Sequence, residues 1–156
     1  MQTLESHGIE PIVTHPLGPQ DHRALVGTLV ASLAACPEVQ ARARAAGDAL
    51  LERIEAALAA TRPDGRPLQR VLYLIWREPW MTVARDTYIA RLLARVNWQT
   101  WPPVEGGERG AGRYPTVHGD EPWLADVDRV LLSSEPYAFG PQHHACLLYT
   151  SPSPRD

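Results

Sequence analysis

The chain has 156 residues, of which 44% are apolar and 21% are charged, a balance typical of a folded globular protein. Its formal net charge of −3 and the lack of a basic stripe argue against nucleic acid as the main partner. No apolar stretch approaches the roughly 18 residues that a membrane span needs, so no membrane span is predicted.

The first part of the chain predicts the end of one α/β unit, followed by a helix. Gly8 stands where a left-handed residue would close a helix, and the apolar residues 11–15 then predict a buried strand. Pro19 and Asp21 favour the first turn of a helix. The apolar positions of this helix share one face: Leu25, Val26, Leu29, Val30 and Leu33. A free-standing domain seldom begins midway through such a unit, so we expect a partial chain. Residues 1–9 have no basic head or apolar core, so no export signal is predicted in them.

The next segment predicts one long helix over residues 37–62. Apolar residues recur there at steps of three or four, and Arg62-Pro63-Asp64-Gly65 ends the pattern. A helix of about 26 residues would be roughly 39 Å long, which is more than a small α/β lobe needs. A coiled-coil arm is the alternative, but a single alanine-rich stripe supports it poorly. We therefore predict a rigid strut between two lobes.

The second half of the chain predicts a further α/β unit. Strands are expected over residues 69–76 and 129–133, because the runs 71–75 and 130–132 within them are apolar without alternation. Between them, Asp86 or Thr87 can cap a helix. The apolar face of this helix would hold Ile89, Leu92, Leu93 and Val96. Asn97 can adopt the left-handed conformation that closes the helix.

Two connecting segments complete the predicted organisation. The loop over residues 102–115 is rich in glycine and proline, but its glycines neither follow a strand nor open a helix, so a linker is predicted and not a phosphate-binding loop. Residues 121–127 predict a short helix. The predicted domains are the end of an N-terminal lobe, an interlobe helix, a partial C-terminal lobe and a non-native tail: residues 1–36, 37–62, 63–145 and 146–156.

Three apolar runs end in proline turns that carry polar or aromatic side chains. Residues 12–14 precede His15-Pro16, residues 71–75 precede the turn at 76–80, and residues 130–132 precede the turn at 134–137. Each run reads as a buried parallel strand. Ligands of open α/β sheets bind beyond the carboxyl ends of the strands. These turns therefore predict a binding protein more readily than an enzyme.

Cysteine and histidine usage predicts neither a disulfide framework nor a metal site. Cys36 and Cys146 are too few for a framework, and Cys36 is expected to be a small buried thiol. The neighbours His143 and His144 lack the spaced further ligands that a metal site requires. The tail at residues 146–156 resembles a translated sequencing adapter, so no function is assigned to it.

The segment over residues 71–88 resembles a run found in ABC-importer receptors. With its strand, its Trp76-Arg77-Glu78-Pro79-Trp80-Met81 turn and its helix start, it is similar to the beginning of the second lobe in cobalamin-binding proteins. These belong to the cobalamin and iron–siderophore family of helical-backbone receptors. Arg113-Tyr114-Pro115-Thr116-Val117 and residues 131–139 are similar to later segments of that family. The resemblance covers roughly residues 5–140 and includes the predicted long helix.

This resemblance implies an α/β fold in which two Rossmann-like lobes clasp a ligand and are joined by a helix that allows little hinge motion. The chain would hold the end of the first lobe, the interlobe helix and the front part of the second lobe. Two departures bear on ligand identity more than on fold. Ala84 replaces a usual glycine, and residues 97–101 replace a glycine-rich turn of the family.

Aromatic residues at the two later strand ends are the candidate ligand contacts. Trp76 and Trp80 offer rigid faces that suit a flat, partly apolar corrin or haem-like ligand, although one of them could pack beneath the loop as core. Tyr137 and Phe139 leave the neighbouring strand and are expected to face the same ligand. Three tryptophans away from the strand ends are expected to be packing residues: Trp98, Trp101 and Trp123.

Charged residues around these aromatics have two candidate roles each. Arg77 can donate to amide or carboxylate groups at the ligand rim, or it can pair with Glu78. Arg85 and Asp86 are expected to form a cap and an ion pair at the helix start. Receptors of this family dock on their importer through rim carboxylates, so the resemblance implies that Glu135 pairs with an arginine of a permease.

Together these features predict a solute-binding protein of an ABC importer, present as a fragment. The expected ligand is cobalamin or a related corrinoid, carried as cargo without a further cofactor or metal. The intact parent is expected to be a monomer in the periplasm, or lipid-anchored outside the cell, with a permease as partner. An iron–siderophore or haem receptor of the same fold is the alternative.

A cytoplasmic enzyme or sensor domain that reuses the fold is the alternative from another class. Glu78 and Glu135 could form a carboxylate pair like that of a glycosidase. No nucleophile motif or metal-protease motif accompanies them. The sequence therefore predicts a binding protein and not an enzyme.

Overall fold

A computed structural model describes residues 4, 6–107 and 109–143 of the chain. The chain divides into two compact units, Met1–Ile54 and Glu55–Asp156, and the division falls inside a helix. The first unit contains helices, and the second contains a parallel sheet. No helix within the described ranges is long and apolar enough to cross a membrane.

The first unit begins with a turn that leads into a helix. Residues Pro19–Asp21 form a 3₁₀ turn, and α1 (His22–Ala34) follows directly. The Asp21 carboxylate accepts hydrogen bonds from the backbone N–H groups of Leu17 (2.7 Å) and Gly18 (2.9 Å). This predicted helix start is therefore confirmed, with Asp21 fixing the chain just before the first turn.

The predicted long helix is confirmed as one continuous helix, α2 (Gln40–Ala60). It is shorter than predicted at both ends. Its start is preceded by a turn in which the Val39 N–H donates to the Cys36 carbonyl at 3.2 Å. Its end is followed by Pro63, which cannot continue the helical hydrogen-bond pattern. The role of α2 as a strut between lobes stays a prediction.

The two helices of the first unit approach closely at Gly47. This residue is buried in α2, and a Cβ added there would collide with Cγ2 of Val30 on α1. Val26 is the buried apolar residue of α1, whereas Leu29 and Leu33 are exposed. The predicted apolar face of α1 is thus only partly covered within this unit.

Two predictions for the first unit are wrong. Residues 11–15 form no strand, and Val13 is 71% exposed. A strand needs a neighbouring backbone, and the described part of this unit, residues 4 and 6–54, contains no strand to supply one. Cys36 is exposed and not buried, because it lies in the turn between the helices, where its thiol donates to Glu38 Oε2 at 2.7 Å.

The second unit holds a three-stranded parallel sheet in the order β2–β1–β3. The strands are β1 (Gln69–Leu74), β2 (Trp98–Thr100) and β3 (Arg129–Leu132). Central β1 pairs with β2 from Gln69↔Trp98 and with β3 up to Leu74↔Leu132. Strands β1 and β3 are confirmed with slightly earlier ends. Strand β2 lies within residues 97–101, for which a turn is predicted, because three residues carry too little pattern to reveal a strand.

The helix between β1 and β2 is α3 (Tyr88–Ala94), as predicted. Thr87 is its N-cap, and the Thr87 hydroxyl accepts a hydrogen bond from the backbone N–H of Ala90. Asn97 has a φ of 61°, the left-handed conformation expected for it. Residues 102–115 are mainly loop, and the short helix predicted over residues 121–127 is a 3₁₀ turn at Pro122–Asp126.

The core of the second unit lies against β1. Its centre is formed by Leu72, Leu74 and Val117, which are at most 8% exposed. Several partly buried apolar residues pack around this centre: Trp80, Trp123, Leu124, Val127, Leu132 and Phe139. The core therefore reaches the carboxyl ends of β1 and β3, where the candidate ligand contacts are found.

Candidate functional site

The turn after β1 is closed by backbone hydrogen bonds. The Ile75 N–H donates to the Met81 carbonyl at 2.9 Å, and the Met81 N–H donates to the Trp76 carbonyl at 3.1 Å. Beneath the turn, the buried Thr82 hydroxyl donates to the Tyr73 carbonyl at 2.8 Å. These bonds fix the direction in which the side chains of residues 76–80 leave the sheet.

A second segment pairs with the far side of this turn. The N–H groups of Thr82 and Ala84 donate to the carbonyls of Pro115 (3.0 Å) and Arg113 (2.9 Å). The Arg113 side chain is buried and donates to the Gly107 carbonyl at 2.7 Å. The segment over residues 113–117 therefore braces the turn.

Strands β1 and β3 are parallel neighbours, so their carboxyl ends lie side by side. The Ser133 N–H donates to the Leu74 carbonyl at 3.1 Å, which continues the pairing to the last residue before the second turn. The turns at residues 76–80 and 134–137 consequently emerge at the same sheet edge. This is the arrangement predicted for these two turns from the order of their strands.

Five rings from these turns and from the residues that follow the second turn form one cluster, which we call the aromatic cluster: Trp76, Trp80, Tyr137, Phe139 and His143. The Trp76 and Tyr137 centroids lie 5.4 Å apart with planes at 73°, and the Trp80 and Phe139 rings stack at 5.9 Å and 2°. Tyr137 links the two pairs, since its centroid is 4.7 Å from that of Phe139. Such edge and offset contacts are the preferred geometries of aromatic rings.

The aromatic cluster has an inner and an outer layer. Trp80 and Phe139 pack on the apolar core, which is the alternative that the sequence analysis left open for one of the tryptophans. Trp76 is 41% exposed, so its indole is the tryptophan surface most open to solvent. Trp76 is therefore the exposed face of the cluster, and half-buried Tyr137 connects it to the inner pair.

An apolar cavity of about 340 Å³ opens beside Trp76. Its lining combines both turns with α3 and the bracing segment: Ile75, Trp76, Met81, Val83, Ile89, Tyr114, Glu135 and Pro136. The volume is at the lower end of the range for small-molecule sites. Tyr114, an exposed aromatic residue of this lining, lies in a segment of family resemblance but is not among the predicted ligand contacts.

Arg77 lies close to Glu78, which is one of its two predicted partners, and also to Trp80. Its Nε lies 3.8 Å from Glu78 Oε1, and its guanidinium carbon lies 5.7 Å from the centre of the Trp80 ring. Glu135 is exposed at the mouth of the cavity. The two turns therefore contain one cation, Arg77, and two carboxylates, Glu78 and Glu135. Arg77 lies close to Glu78.

Arg85 and Asp86 bind different groups instead of each other. Asp86 Oδ1 accepts the Gly106 N–H at 3.0 Å, and this hydrogen bond lowers the pKa of the carboxyl group below its ordinary value. The Arg85 guanidinium carbon lies 4.9 Å from the Trp101 ring, and its Nε donates to the Thr100 carbonyl at 3.3 Å. Both residues serve the fold here, and the helix cap is Thr87.

The three tryptophans expected to be packing residues do pack within the second unit. Arg129 lies over Trp98 at 5.7 Å, and Arg85 lies over Trp101. Trp123 packs on the apolar core. None of the three contributes to the lining of the cavity beside Trp76.

The remaining candidates are histidine and cysteine residues, and His143 is the one that belongs to the aromatic cluster. His15, at the first of the three predicted turns, belongs to the first unit and lines a cavity of about 190 Å³ with residues of α1. Cys146 and His144 lie outside the described residues. No group of three metal-ligating side chains occurs among the described residues. His143 is 4% exposed within the aromatic cluster, a position that a search for metal ligands could not reveal.

No protein-family model and no curated protein matches the chain. Solved structures do. A possible iron-binding (periplasmic solute-binding) protein from Staphylococcus epidermidis matches with a TM-score of 0.61 at 10% identity, covering 86% of this chain and 48% of that one. The periplasmic vitamin B12 binding protein BtuF of Vibrio cholerae matches with a TM-score of 0.58 at 16% identity, covering 94% and 53%.

A third match is an ABC transporter substrate-binding protein from Listeria monocytogenes, with a TM-score of 0.61 at 12% identity and coverages of 94% and 52%. The chain has the fold of ABC-importer solute-binding proteins. This is the fold that the resemblance over residues 71–88 predicted. The chain spans about half the length of the three solved structures.

Proposed function

We propose that the whole protein is the solute-binding component of an ABC importer and that it binds cobalamin or a related corrinoid. The observation that carries the proposal is the contact between Trp76 and Tyr137 at the adjoining ends of β1 and β3. It creates an aromatic edge where ligands of parallel sheets bind. The solved structures with this fold include a vitamin B12 binding protein, which supports the class of ligand.

The chemistry of the aromatic cluster favours a flat and largely apolar ligand. Rigid rings bury a large area at a small entropic cost, and the cavity beside Trp76 is lined mainly by apolar side chains. Glu135 is the charged residue of this lining, and two further polar groups, Arg77 and the Tyr137 hydroxyl, lie in the same two turns. A corrinoid has an extended macrocycle bordered by amide groups, so it complements both features.

An iron–siderophore or haem receptor is the second candidate, and the name of the Staphylococcus epidermidis protein supports it. An anionic siderophore or the haem carboxylates would call for several cationic side chains at the site. Among the described residues of the two turns, Arg77 is the one cation, and Glu78 lies 3.8 Å from it. This charge balance favours the corrinoid.

We further propose that Glu135 contributes to docking on the permease and that the protein works outside the cytoplasmic membrane as a monomer. Glu135 is exposed and lies at the end of β3, on the rim of the cavity. A rim carboxylate opposite an arginine would speed association and make it sensitive to salt. Glu135→Gln should therefore weaken binding to permease-containing vesicles at low salt, whereas Glu105→Gln, at another exposed position, should not.

The proposal is tested by equilibrium dialysis of cyanocobalamin against the whole protein, with the chain itself in parallel. We expect saturable binding at micromolar ligand to the whole protein and weaker binding to the chain. Hemin and ferrichrome, an iron–siderophore, serve as competitors. Binding of ferrichrome without binding of cyanocobalamin would overturn the corrinoid proposal. Binding of none of the three ligands would overturn the proposal that the protein is a solute-binding component of this kind.

A further inference from the structure

We propose that His143 is a positioning residue that holds the Tyr137 hydroxyl as a hydrogen-bond acceptor, leaving the hydroxyl hydrogen to bind an acceptor oxygen of the ligand. The ligand part of this inference rests on the proposed function, whereas the proton assignment rests on geometry alone. The sequence-based prediction for His143 bears only on metal binding.

The starting observation is the burial of the imidazole. His143 is 4% exposed, and its ring lies 5.5 Å from both the Tyr137 and the Phe139 centroids. A buried imidazole has little access to water, so its two nitrogen atoms need partners within the protein. Both nitrogen atoms have one.

The first partner decides which nitrogen carries the hydrogen. The backbone N–H of Gly140 donates to His143 Nδ1 at 2.8 Å. A nitrogen that accepts a hydrogen bond must present its lone pair, so Nδ1 carries no hydrogen. The neutral imidazole then carries its hydrogen on Nε2.

The second partner is Tyr137. His143 Nε2 lies 3.3 Å from the Tyr137 hydroxyl oxygen. With the hydrogen on Nε2, the imidazole donates and the hydroxyl accepts. The hydroxyl hydrogen must therefore point elsewhere, and within residues 4, 6–107 and 109–143 the hydroxyl makes no other hydrogen bond.

The half-buried Tyr137 thus offers one oriented donor beside the exposed indole of Trp76. The matching ligand group is an acceptor oxygen at the border of a flat ligand, such as the amide carbonyl of a corrinoid side chain. Without His143, no group among the described residues fixes the direction of the hydroxyl hydrogen. The imidazole acts through Tyr137 and needs no contact with the ligand.

The proton assignment is tested on the chain without ligand. A long-range ¹H–¹⁵N spectrum should show His143 protonated at Nε2 and unprotonated at Nδ1. The tyrosine Raman doublet, taken as the difference between the wild type and Tyr137→Phe, should show Tyr137 as an acceptor from the protein. A hydrogen on Nδ1, or a Tyr137 hydroxyl that donates to His143, would overturn the inference.

A double-mutant cycle on the whole protein with cyanocobalamin tests whether the contribution of Tyr137 to ligand binding depends on His143. Tyr137→Phe should weaken binding roughly 5- to 10-fold, the size of one hydrogen bond, in the wild type. In a His143→Leu background the same change should matter less than about twofold, whereas His143→Gln, whose amide N–H can still donate to Tyr137, should restore the effect. An equal Tyr137→Phe effect in all three backgrounds would overturn the positioning role. Failure of cyanocobalamin to bind the wild type would instead contradict the proposed function, and the spectra would still decide the proton assignment.

Discussion

The Trp76 indole meets the Tyr137 phenol edge to face, with ring centroids 5.4 Å apart and planes at 73°. The two residues are far apart in sequence, and they meet because β1 and β3 are parallel neighbours whose carboxyl ends coincide. Their contact turns two separate proline turns into one aromatic surface. Ligand binding by this chain is accordingly expected to depend on both turns together.

Trp76 should matter for ligand binding and little for folding. Trp76→Ala is expected to weaken cyanocobalamin binding by the whole protein at least about 10-fold, because it removes a large contact face. The change in unfolding free energy should stay near about 1 kcal/mol, since the side chain is 41% exposed. Equilibrium dialysis and urea denaturation measure the two effects. Trp98→Phe is the matched control, and equal losses of affinity in both variants would refute a specific role of Trp76.

Phe139, in contrast to Trp76, should matter mainly for folding stability. It packs on the apolar core and stacks on Trp80 at 5.9 Å, so Phe139→Ala is expected to lower the unfolding free energy by about 2–3 kcal/mol. Urea denaturation followed by tryptophan fluorescence reports the loss. Phe139→Leu, which keeps most of the apolar volume, should cost clearly less. A neutral Phe139→Ala would mean that the inner layer of the cluster is not packed as described.

Gly47 should tolerate no side chain while Val30 faces it. Gly47→Ala is expected to destabilise the first unit by about 1–3 kcal/mol, because the new Cβ would collide with Val30 Cγ2. Gly27, in α1, is the matched control: a Cβ there meets nothing within 4 Å, so Gly27→Ala should stabilise the helix by roughly 0.5–1 kcal/mol. Combining Gly47→Ala with Val30→Ala should recover part of the loss. Equal effects of the two glycine substitutions would contradict the close approach of α1 and α2.

Asp86 should make the stability of the second unit depend on pH. The Gly106 N–H lowers the pKa of the folded carboxyl below its ordinary value of 3.8. The stabilisation is therefore fully present above the unfolded pKa and is lost as the pH falls through the folded pKa. Urea midpoints between about pH 6 and pH 3 should decline in the wild type and decline less in Asp86→Asn.

Asp64→Asn is the control for Asp86. Asp64 is exposed in the turn after α2, and its substitution should leave the pH profile as in the wild type. Asp128, whose pKa is lowered by the backbone N–H of Arg70, should keep part of the slope in every variant. An Asp86→Asn profile that coincides with the wild type would refute the anchoring of the loop by Asp86.

The sequence predicted those parts of the fold whose signal is local. The long helix α2, the apolar strands β1 and β3, the Thr87 cap and the left-handed Asn97 all follow from patterns of a few neighbouring residues. Strand β2 could not be predicted, because three residues become a strand only through pairing with β1. Residues 11–15 have a strand pattern, but the described part of their unit supplies no strand to pair with.

The candidate site was predictable at the level of turns and not at the level of atoms. Placing Trp76 and Tyr137 at parallel strand ends required only the strand assignment. Assigning Trp76 to the exposed surface and Trp80 to the core required knowing which of the two rings the core covers. The role of His143 depends on a helical turn that brings its two nitrogen atoms to Gly140 and Tyr137, and the three-residue spacing of these residues is the one sequence signal for it.

The most direct test of the ligand-facing aromatic edge is an intermolecular NOE experiment on the whole protein saturated with cyanocobalamin. Contacts of the corrin methyl protons with ring protons of both Trp76 and Tyr137 are predicted, and Trp98 should show none. Bound cyanocobalamin that contacts neither ring, or only one of the two, would contradict the account.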